Sequence, residues 1–440
     1  MHVRCKWVLA VKYKSDGSIE RYKVRLVAKG FTQTYGIDYQ EMFALVAKLN
    51  TVRVLLSLAT NLDWKLQQLN IKNVFLNGDL EEEVYMELPP GFDHGRKGKS
   101  ASLENLSMVE TIAPCMVTIL IVYEDDIIVT RNDPMEMEQL KEKLAAKFET
   151  KDLGPLRYFL GMEVARNKSG ISVSQRKNIL DLLKETGMLG CKPVDTPMDP
   201  VKKIGEQKES TPVDTKTYQR PIGKLIYLSH TRSDITFVVS VVSQYMHAPC
   251  EEHMESMYRI LKYLKGSTGK GLYFRKNETR SIEGFTDADW ANSIDDRRST
   301  SGYCTFVWGN LETWRSKKQT MVARSNAEAE FHAIAHGMCE LLWLKQLLGE
   351  IGVKEEMPMK MYCDNKAAIN ISQNPVHHDQ TKHVEVDKHF IKEKVEDGTI
   401  SMVYVPTNTQ VVDVLTKALS RRSFEHLIDK LGMFNLYNPT

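Results

Sequence analysis

Val117-Thr118-Ile119-Leu120-Ile121-Val122-Tyr123-Glu124-Asp125-Asp126-Ile127-Ile128-Val129-Thr130 is two apolar runs closed around adjacent acids. Both runs are rich in β-branched residues, so they read as paired strands with Asp125 and Asp126 at the hairpin tip. A rigid tip that carries two carboxylates suits the divalent ions used for phosphoryl transfer. Aspartate is also a common turn residue, so these residues alone equally fit a plain hairpin turn.

The chain around this hairpin has 440 residues, enough for about two or three domains with a core each. Its formal charge of +2 is nearly neutral, so any nucleic-acid binding must rest on local patches. Seven cysteines are scattered without Cys-x-x-Cys spacing. They read as reduced core thiols, not as a disulfide frame or a zinc site. There is no signal peptide and no apolar run long enough to span a bilayer. The expectation is an intracellular protein of cytoplasm or nucleus, not secreted and without a membrane partner.

Before the hairpin, residues 1–91 alternate strand-like runs with turn signals such as Asp16-Gly17 and Asn77-Gly78, and Arg53 to Asn61 has helical spacing. Pro89-Pro90-Gly91 ends this part. Residues 92–116 lose the pattern, and His94 to Ser102 is polar and basic. After the hairpin, Met135 to Phe148 reads as an amphipathic helix. Leu156 to Gly161 and Ile171 to Ser174 read as strands, and Gln175 to Lys184 begins another helix. Cys191 to Pro212 looks like a linker, and residues 213–275 read as mainly helical. From about 280 to 432 the pattern is cleanest. Strands are predicted at Ile282 to Asp287, Tyr303 to Trp308 and within Glu312 to Val322. A long helix follows from Asn326 to Ile351, then strands at Met359 to Cys363 and Ile400 to Val405. Antiparallel strands followed by strands alternating with helices predict a mixed sheet with helical cover.

Several motifs carry a resemblance. Tyr-x-Asp-Asp within an apolar hairpin resembles the palm motif of reverse transcriptases. Cys5-Lys6-Trp7-Val8, Arg21 to Phe31, Asn73-Val74-Phe75-Leu76-Asn77-Gly78, Val84-Tyr85-Met86, Tyr158-Phe159-Leu160-Gly161-Met162-Glu163 and Thr286-Asp287-Ala288-Asp289-Trp290 stand in the order found in the pol region of copia-type LTR retrotransposons. The resemblance covers nearly the whole chain and implies an α+β and α/β fold. Residues 1–91 would be the fingers and start of the palm, with a disrupted junction at 92–116 from an internal deletion or a wrongly predicted splice. Residues 117–200 would be the remaining palm and thumb, 201–279 the connection, and 280–432 a ribonuclease H-like domain. The chain would start inside the fingers.

The same resemblance implies Mg2+ at two-metal sites, and as partner an RNA–DNA hybrid or an RNA template with a DNA primer. In the polymerase, Asp125 and Asp126 would be joined by a further aspartate, but that position holds Asn70, whose neutral carbonyl cannot offset metal charge. Glu124 stands where the family usually has an apolar residue. Together with the lost junction these departures predict an inactive polymerase. Arg21, Lys23, Arg25 and Lys29 would hold the triphosphate; a charged edge strand that blocks aggregation explains them equally.

Four acids stand in the order that a hybrid-cleaving ribonuclease requires: Asp287, Glu330, Asp364 and Asp413. Asp289 rivals Asp287 on the same strand face. Ser325-Asn326-Ala327-Glu328 is a capping box, which accounts for Glu328. Glu330 lies in line with Ile334, Gly337 and Leu341, where an acid is costly unless paired or metal-bound. Asp364 has a sufficient structural reason in capping the next helix. Asp413 sits among apolar neighbours. Such a site hydrolyses RNA with metal assistance, and the ribose 2′-OH marks the strand to be cut. Trp314, Arg315, Lys317 and Lys318 offer an aromatic and basic strip for the hybrid's backbone, or simply a solvated strand face. His377, His378, His383 and His389 gather without cysteine partners at zinc spacing. The leading expectation is a Pol fragment whose polymerase is inactive and whose ribonuclease is retained. Its rival is a non-enzymatic remnant that binds nucleic acid at most.

Overall fold

The computed structural model describes residues 2–3, 5–13, 18–28, 48–71, 85–86, 118–123, 125–131, 134–202, 204–205, 210–373 and 382–437. Two compact units emerge: Met1–Ala47 with Leu66–Pro155, and Lys48–Lys65 with Leu156–Thr440.

The first unit begins with the short strand β1 (His2–Val3) and an antiparallel ribbon of β2 (Cys5–Tyr13) and β3 (Ile19–Ala28). Helix α1 (Leu49–Asn61) comes next in sequence but belongs to the second unit. Strand β4 (Lys65–Ile71) follows, then β5 (Tyr85–Met86), which pairs with β1. The acidic hairpin is β6 (Thr118–Tyr123) and β7 (Asp126–Arg131), with Tyr123 opposite Asp126. It joins β4 and β8 (Thr150–Pro155) in a four-stranded sheet of order β6-β7-β4-β8. Helix α2 (Pro134–Lys147) covers that sheet, and its Met137, Leu140 and Leu144 recur at helical spacing against Leu69, Ile71, Ile127 and Val129.

The second unit holds two sheets. One is antiparallel and is entered through β9 (Tyr158–Phe159) and β10 (Met162–Arg166). Leu156 to Gly161 was expected as one strand, but only Tyr158–Phe159 pairs. Leu160 and Gly161 both adopt positive φ (50° and 72°), the two-residue loop of a tight hairpin. Strand β11 (Gly170–Ser174), helix α3 (Arg176–Glu185), helices α4 (Thr215–Leu228), α5 (Thr236–Ser243) and α6 (Glu251–Gly266), and strand β12 (Lys270–Arg275) follow. Residues 117–200, expected as one segment, therefore divide at Pro155: the hairpin stays in the first unit, while 156–200 packs in the second.

The other sheet is the expected mixed one. Strands β13 (Ser281–Asp289), β14 (Thr300–Val307) and β15 (Asn310–Lys318) are antiparallel neighbours. Helix α7 (Asn326–Glu350) leads to β16 (Glu356–Cys363), which runs parallel to β13. Helices α8 (Lys366–Gln373) and α9 (Lys382–Glu396) precede β17 (Ile400–Tyr404), parallel to β16. The order is β15-β14-β13-β16-β17. A 3₁₀ segment (Val411–Leu415), helix α10 (Arg421–Lys430) and β18 (Met433–Asn435) complete the chain, with β18 closing the antiparallel sheet beside β12.

Helix α7 presses on the mixed sheet through Phe331, Ile334, Met338, Leu341, Leu344 and Leu348, all buried with Ile282, Met359, Met361 and Ile400. Gly337 allows this approach, because a Cβ there would lie 2.6 Å from Thr286 Cγ2. Val54 and Leu58 of α1 join the same core, so a helix expected with the fingers and palm is built into this unit.

Candidate active site

Strand β13 carries Asp287 into the sheet with 1% exposure. Its cross-strand partner is Gly302, where a Cβ would stand 2.7 Å from Thr416 Cγ2 and 2.8 Å from Val412 Cγ1. The missing side chain lets the 3₁₀ segment lie against β14, and Gln410 pins it by donating to Thr286 O at 2.9 Å. Asp413 is thereby brought to Asp287. Lys417 Nζ donates to both, 3.0 Å from Asp287 Oδ1 and 2.9 Å from Asp413 Oδ1, and Thr416 Oγ1 donates to Asp287 Oδ2. It is Asp287, not Asp289, that holds these partners.

Glu330 enters from the second turn of α7, which starts at Asn326. Ser325 caps that helix by accepting from Glu328 N at 3.2 Å, while the Glu328 carboxylate accepts from Arg324 N at 2.7 Å. Glu330 itself is 3% exposed, and its Oε2 is buried without a hydrogen-bond partner. Asp364 follows the end of β16. The expected cap role for Asp364 is not seen, because Asn365 Oδ1 accepts from Ala368 N at 3.1 Å and does the capping. Asp364 is left to accept from Thr407 Oγ1 at 2.8 Å. Ligand atoms of Glu330, Cys363 and Asp364 all lie within 4.8 Å of one another.

The electrostatics follow from this crowding. Burial, then Asp287 and Asp364, push Glu330 up to about 9. Burial, then Asp287, push Asp413 up to about 6. Asp287 is raised by burial despite Lys417 and Thr416. Burial lowers Lys417, but the Asp287 and Asp413 charges outweigh it and hold the ammonium above the ordinary lysine range. Four neighbouring acids, only two of them answered by a lysine and one with a carboxylate oxygen left unpartnered, are a donor set that fits divalent cations.

The hairpin site has a different character. Asn70 of β4 does reach the acids, as its position predicts. Its amide donates to Asp126 Oδ1 at 3.1 Å and to Asp125 O at 3.0 Å, and Gln68 Nε2 lies 3.5 Å from Asp126 Oδ1. An aspartate at 70 would face Asp126 with like charge and call for a cation. The amide answers Asp126 with hydrogen bonds instead. Glu124 lies outside the described residues.

The proposed hybrid-contact strip is corrected in one member. Strand alternation puts Trp314 on the face opposite Arg315 and Lys317. There the Arg53 guanidinium stacks 4.0 Å from its ring, and Nε1 donates to Ser229 O and Thr236 Oγ1, each at 3.1 Å. Trp314 is a packing residue. Arg315 and Lys317 are exposed and share a cleft with Lys318, His332, His336 and Asp387. Lys318 also pairs with Asp296 at 2.9 Å. Arg21 is exposed on β3, whereas the side chains of Lys23 and Arg25, and all of Lys29, lie outside the described residues. His377 and His378 do too, as does the side chain of His383, while His389 is exposed on α9. Sequence reasoning missed Lys417, Thr416 and Cys363. Only the spacing of Lys417, four residues beyond Asp413, hinted at a pair.

The model of the family described as reverse transcriptase (RNA-dependent DNA polymerase) matches residues 2–118 and 115–200. The retrovirus-related Pol polyprotein from transposon RE1 of Arabidopsis thaliana is 38% identical over 463 residues, covering 98% of this chain and 32% of that protein. The corresponding polyprotein from transposon TNT 1-94 of Nicotiana tabacum is 36% identical, covering 98% of this chain and 36% of its own. Among solved structures, LC11-RNase H1, isolated from compost, matches 34% of this chain and 99% of its own with a TM-score of 0.26 and 15% identity. The class is a retroelement polypeptide in which a reverse-transcriptase part precedes a mixed five-stranded sheet covered by helices. It spans about a third of the length of the curated relatives it matches. The chain belongs to the Pol polyproteins of copia-type LTR retrotransposons. No helix among the described residues is long and apolar enough to cross a membrane.

Proposed function

We propose that this chain cleaves the RNA strand of an RNA–DNA hybrid at Asp287, Glu330, Asp364 and Asp413, and that its hairpin site does not polymerise. The observation that carries the first half is the meeting of four acids from separate elements: Lys417 joins Asp287 to Asp413, Glu330 and Asp364 lie close together, and Glu330 Oε2 is buried and unpartnered. Mg2+ ions held there supply, when bound, activation of the attacking water and stabilisation of the leaving 3′ oxygen. The protein's own part is to fix the carboxylates. Asp287 is held by Thr416 and Lys417, Asp364 by Thr407, and Glu330 by its place near the start of α7. Arg315 and Lys317 are exposed and basic, and fit contact with the hybrid's phosphates.

Three observations support an inactive polymerase. Asn70 satisfies Asp126 by hydrogen bonding, so the hairpin lacks the charge that recruits a bridging ion. The alignment to the RE1 polyprotein runs over 463 positions, more than the 440 residues of this chain, so that relative carries residues this chain lacks. The two matches to the reverse-transcriptase family meet at 115–118, at the disrupted junction.

The test uses the full chain with a labelled RNA–DNA hybrid and Mg2+. Cleavage that Glu330→Gln abolishes is expected. Cleavage equal in the two proteins overturns the ribonuclease reading in favour of a non-enzymatic remnant. On an RNA template with a DNA primer no extension is expected, and extension lost with Asp125→Asn overturns the second half.

A further inference from the structure

Cys363 is the last residue of β16 and is fully buried in the sheet, flanked by Thr286 of β13 and Tyr404 of β17. Its sulfur lies within 4.8 Å of ligand oxygens of both Glu330 and Asp364. Independently of the cysteine, the adjoining Glu330 Oε2 is 97% shielded at the residue level and finds no hydrogen-bond donor. The thiol's own nearest acceptor is Asn365 O at a distant 3.9 Å, while the sulfur accepts from Asn365 N at 3.3 Å. The sulfur is thus oriented by a backbone donor and left with free coordinating capacity beside a carboxylate that has one unpartnered oxygen.

We propose that Cys363, Glu330 and Asp364 form a mixed sulfur–oxygen site that takes a thiophilic divalent cation, of which Zn2+ is the type. The proposal rests on the reading that these acids hold cations, and it sharpens which cation they hold. Mg2+ seeks hard oxygens in octahedral geometry and has no use for sulfur. Zn2+ binds thiolate and carboxylate together, with four ligands, so three protein atoms and one water complete its shell. Soft ligands shift selectivity toward such ions. Coordination forms the metal–sulfur bond and breaks the S–H bond, and the proton leaves to bulk solvent. The Asn365 N–H to sulfur bond persists and steadies the thiolate, as outer hydrogen bonds do for metal ligands. A thiophilic ion so bound occupies two of the four acids, so it competes with Mg2+ and inhibits hydrolysis.

The test uses Co2+ as a spectroscopic probe on the full metal-free chain. A sulfur-to-cobalt charge-transfer band should grow in as Co2+ is added, persist in excess Mg2+ and disappear on addition of Zn2+. Cys363→Ser should lose the band yet still bind Co2+ by calorimetry, and Cys363→Ala, with circular dichroism as a fold check, gives the same reading if serine perturbs the strand. A band that survives in both variants comes from another cysteine and overturns the proposal. Calorimetric binding of Co2+ to the native chain with no such band overturns the proposal and leaves the carboxylate site standing. No binding of Co2+ at all overturns the carboxylate site itself, and this proposal with it.

Discussion

Lys417 Nζ lies 3.0 Å from Asp287 Oδ1, and Asp287 is 1% exposed. A buried carboxylate is tolerated only when something answers its charge. Here a lysine from the far end of the chain does so, and it answers Asp413 at 2.9 Å as well. Lys417→Met removes the cation and keeps the apolar stem. The metal-free variant should lose about 1–3 kcal/mol of stability, the cost of leaving a buried acceptor unsatisfied. Mg2+ should then raise its melting temperature by more than it raises that of the native chain. Equal responses to Mg2+ in the two proteins would contradict the counter-ion role.

At the hairpin the roles are reversed, because an amide already satisfies the acid. Asn70→Asp exchanges two donated hydrogen bonds for a like charge beside Asp126. In a chelator this should cost about 1–3 kcal/mol. Divalent ions should recover more of that loss than they add to the native chain, since two carboxylates now face each other. The measurement is thermal melting with and without Mg2+. A variant as stable as the native chain in chelator would show that Asn70 makes no difference at the hairpin.

The helices before the mixed sheet are anchored by a fully buried ion pair. Arg232 meets Asp234 through two contacts of 2.9 and 2.7 Å, and Tyr263 Oη donates to Asp234 Oδ2 at 2.6 Å. Ser267 satisfies the rest of the guanidinium through its carbonyl and hydroxyl. Breaking such a pair from one side strands a charge, so Asp234→Asn should cost about 3–5 kcal/mol in urea unfolding. The joint change Arg232→Met with Asp234→Leu should cost less than Asp234→Asn alone. A double variant less stable than the single one would refute that ranking.

Much of the mixed sheet was legible because its signals are local. β14 and β17 are rich in β-branched and aromatic residues, and α7 keeps helical spacing over 25 residues behind its Ser325 cap. Glu330 was legible for the same reason, as an acid on an apolar stripe. What was not legible depends on distant partners. Helix α1 shows its apolar stripe, but nothing in Val54 or Leu58 says that the stripe meets α7 and β16. Asp364 and Asn365 are both good caps, and only the backbone path decides that Asn365 takes the role. Trp314 was grouped with Arg315 by adjacency, although a strand sends adjacent residues to opposite faces. Lys417 is four residues beyond Asp413, yet its second partner, Asp287, is 130 residues away.

The acid cluster also sets a pH dependence whose sign can be worked out. Glu330 rises from 4.5 to about 9 and Asp413 from 3.8 to about 6, each by burial first and neighbouring acids second. Between the ordinary and the raised values the folded chain keeps protons that the unfolded chain has released. Stability therefore falls as pH rises through that window, and the contribution is fully present only below the ordinary values. In chelator, the melting temperature of the native chain should drop between about pH 5 and pH 9. Glu330→Gln stays neutral throughout, so its profile should be flatter, with the two proteins close at the acid end and the variant more stable at the alkaline end. Mg2+ should reverse the difference, because a bound cation favours the ionised carboxylate that glutamine cannot supply. Parallel profiles for the two proteins in chelator would show that Glu330 does not titrate in this window.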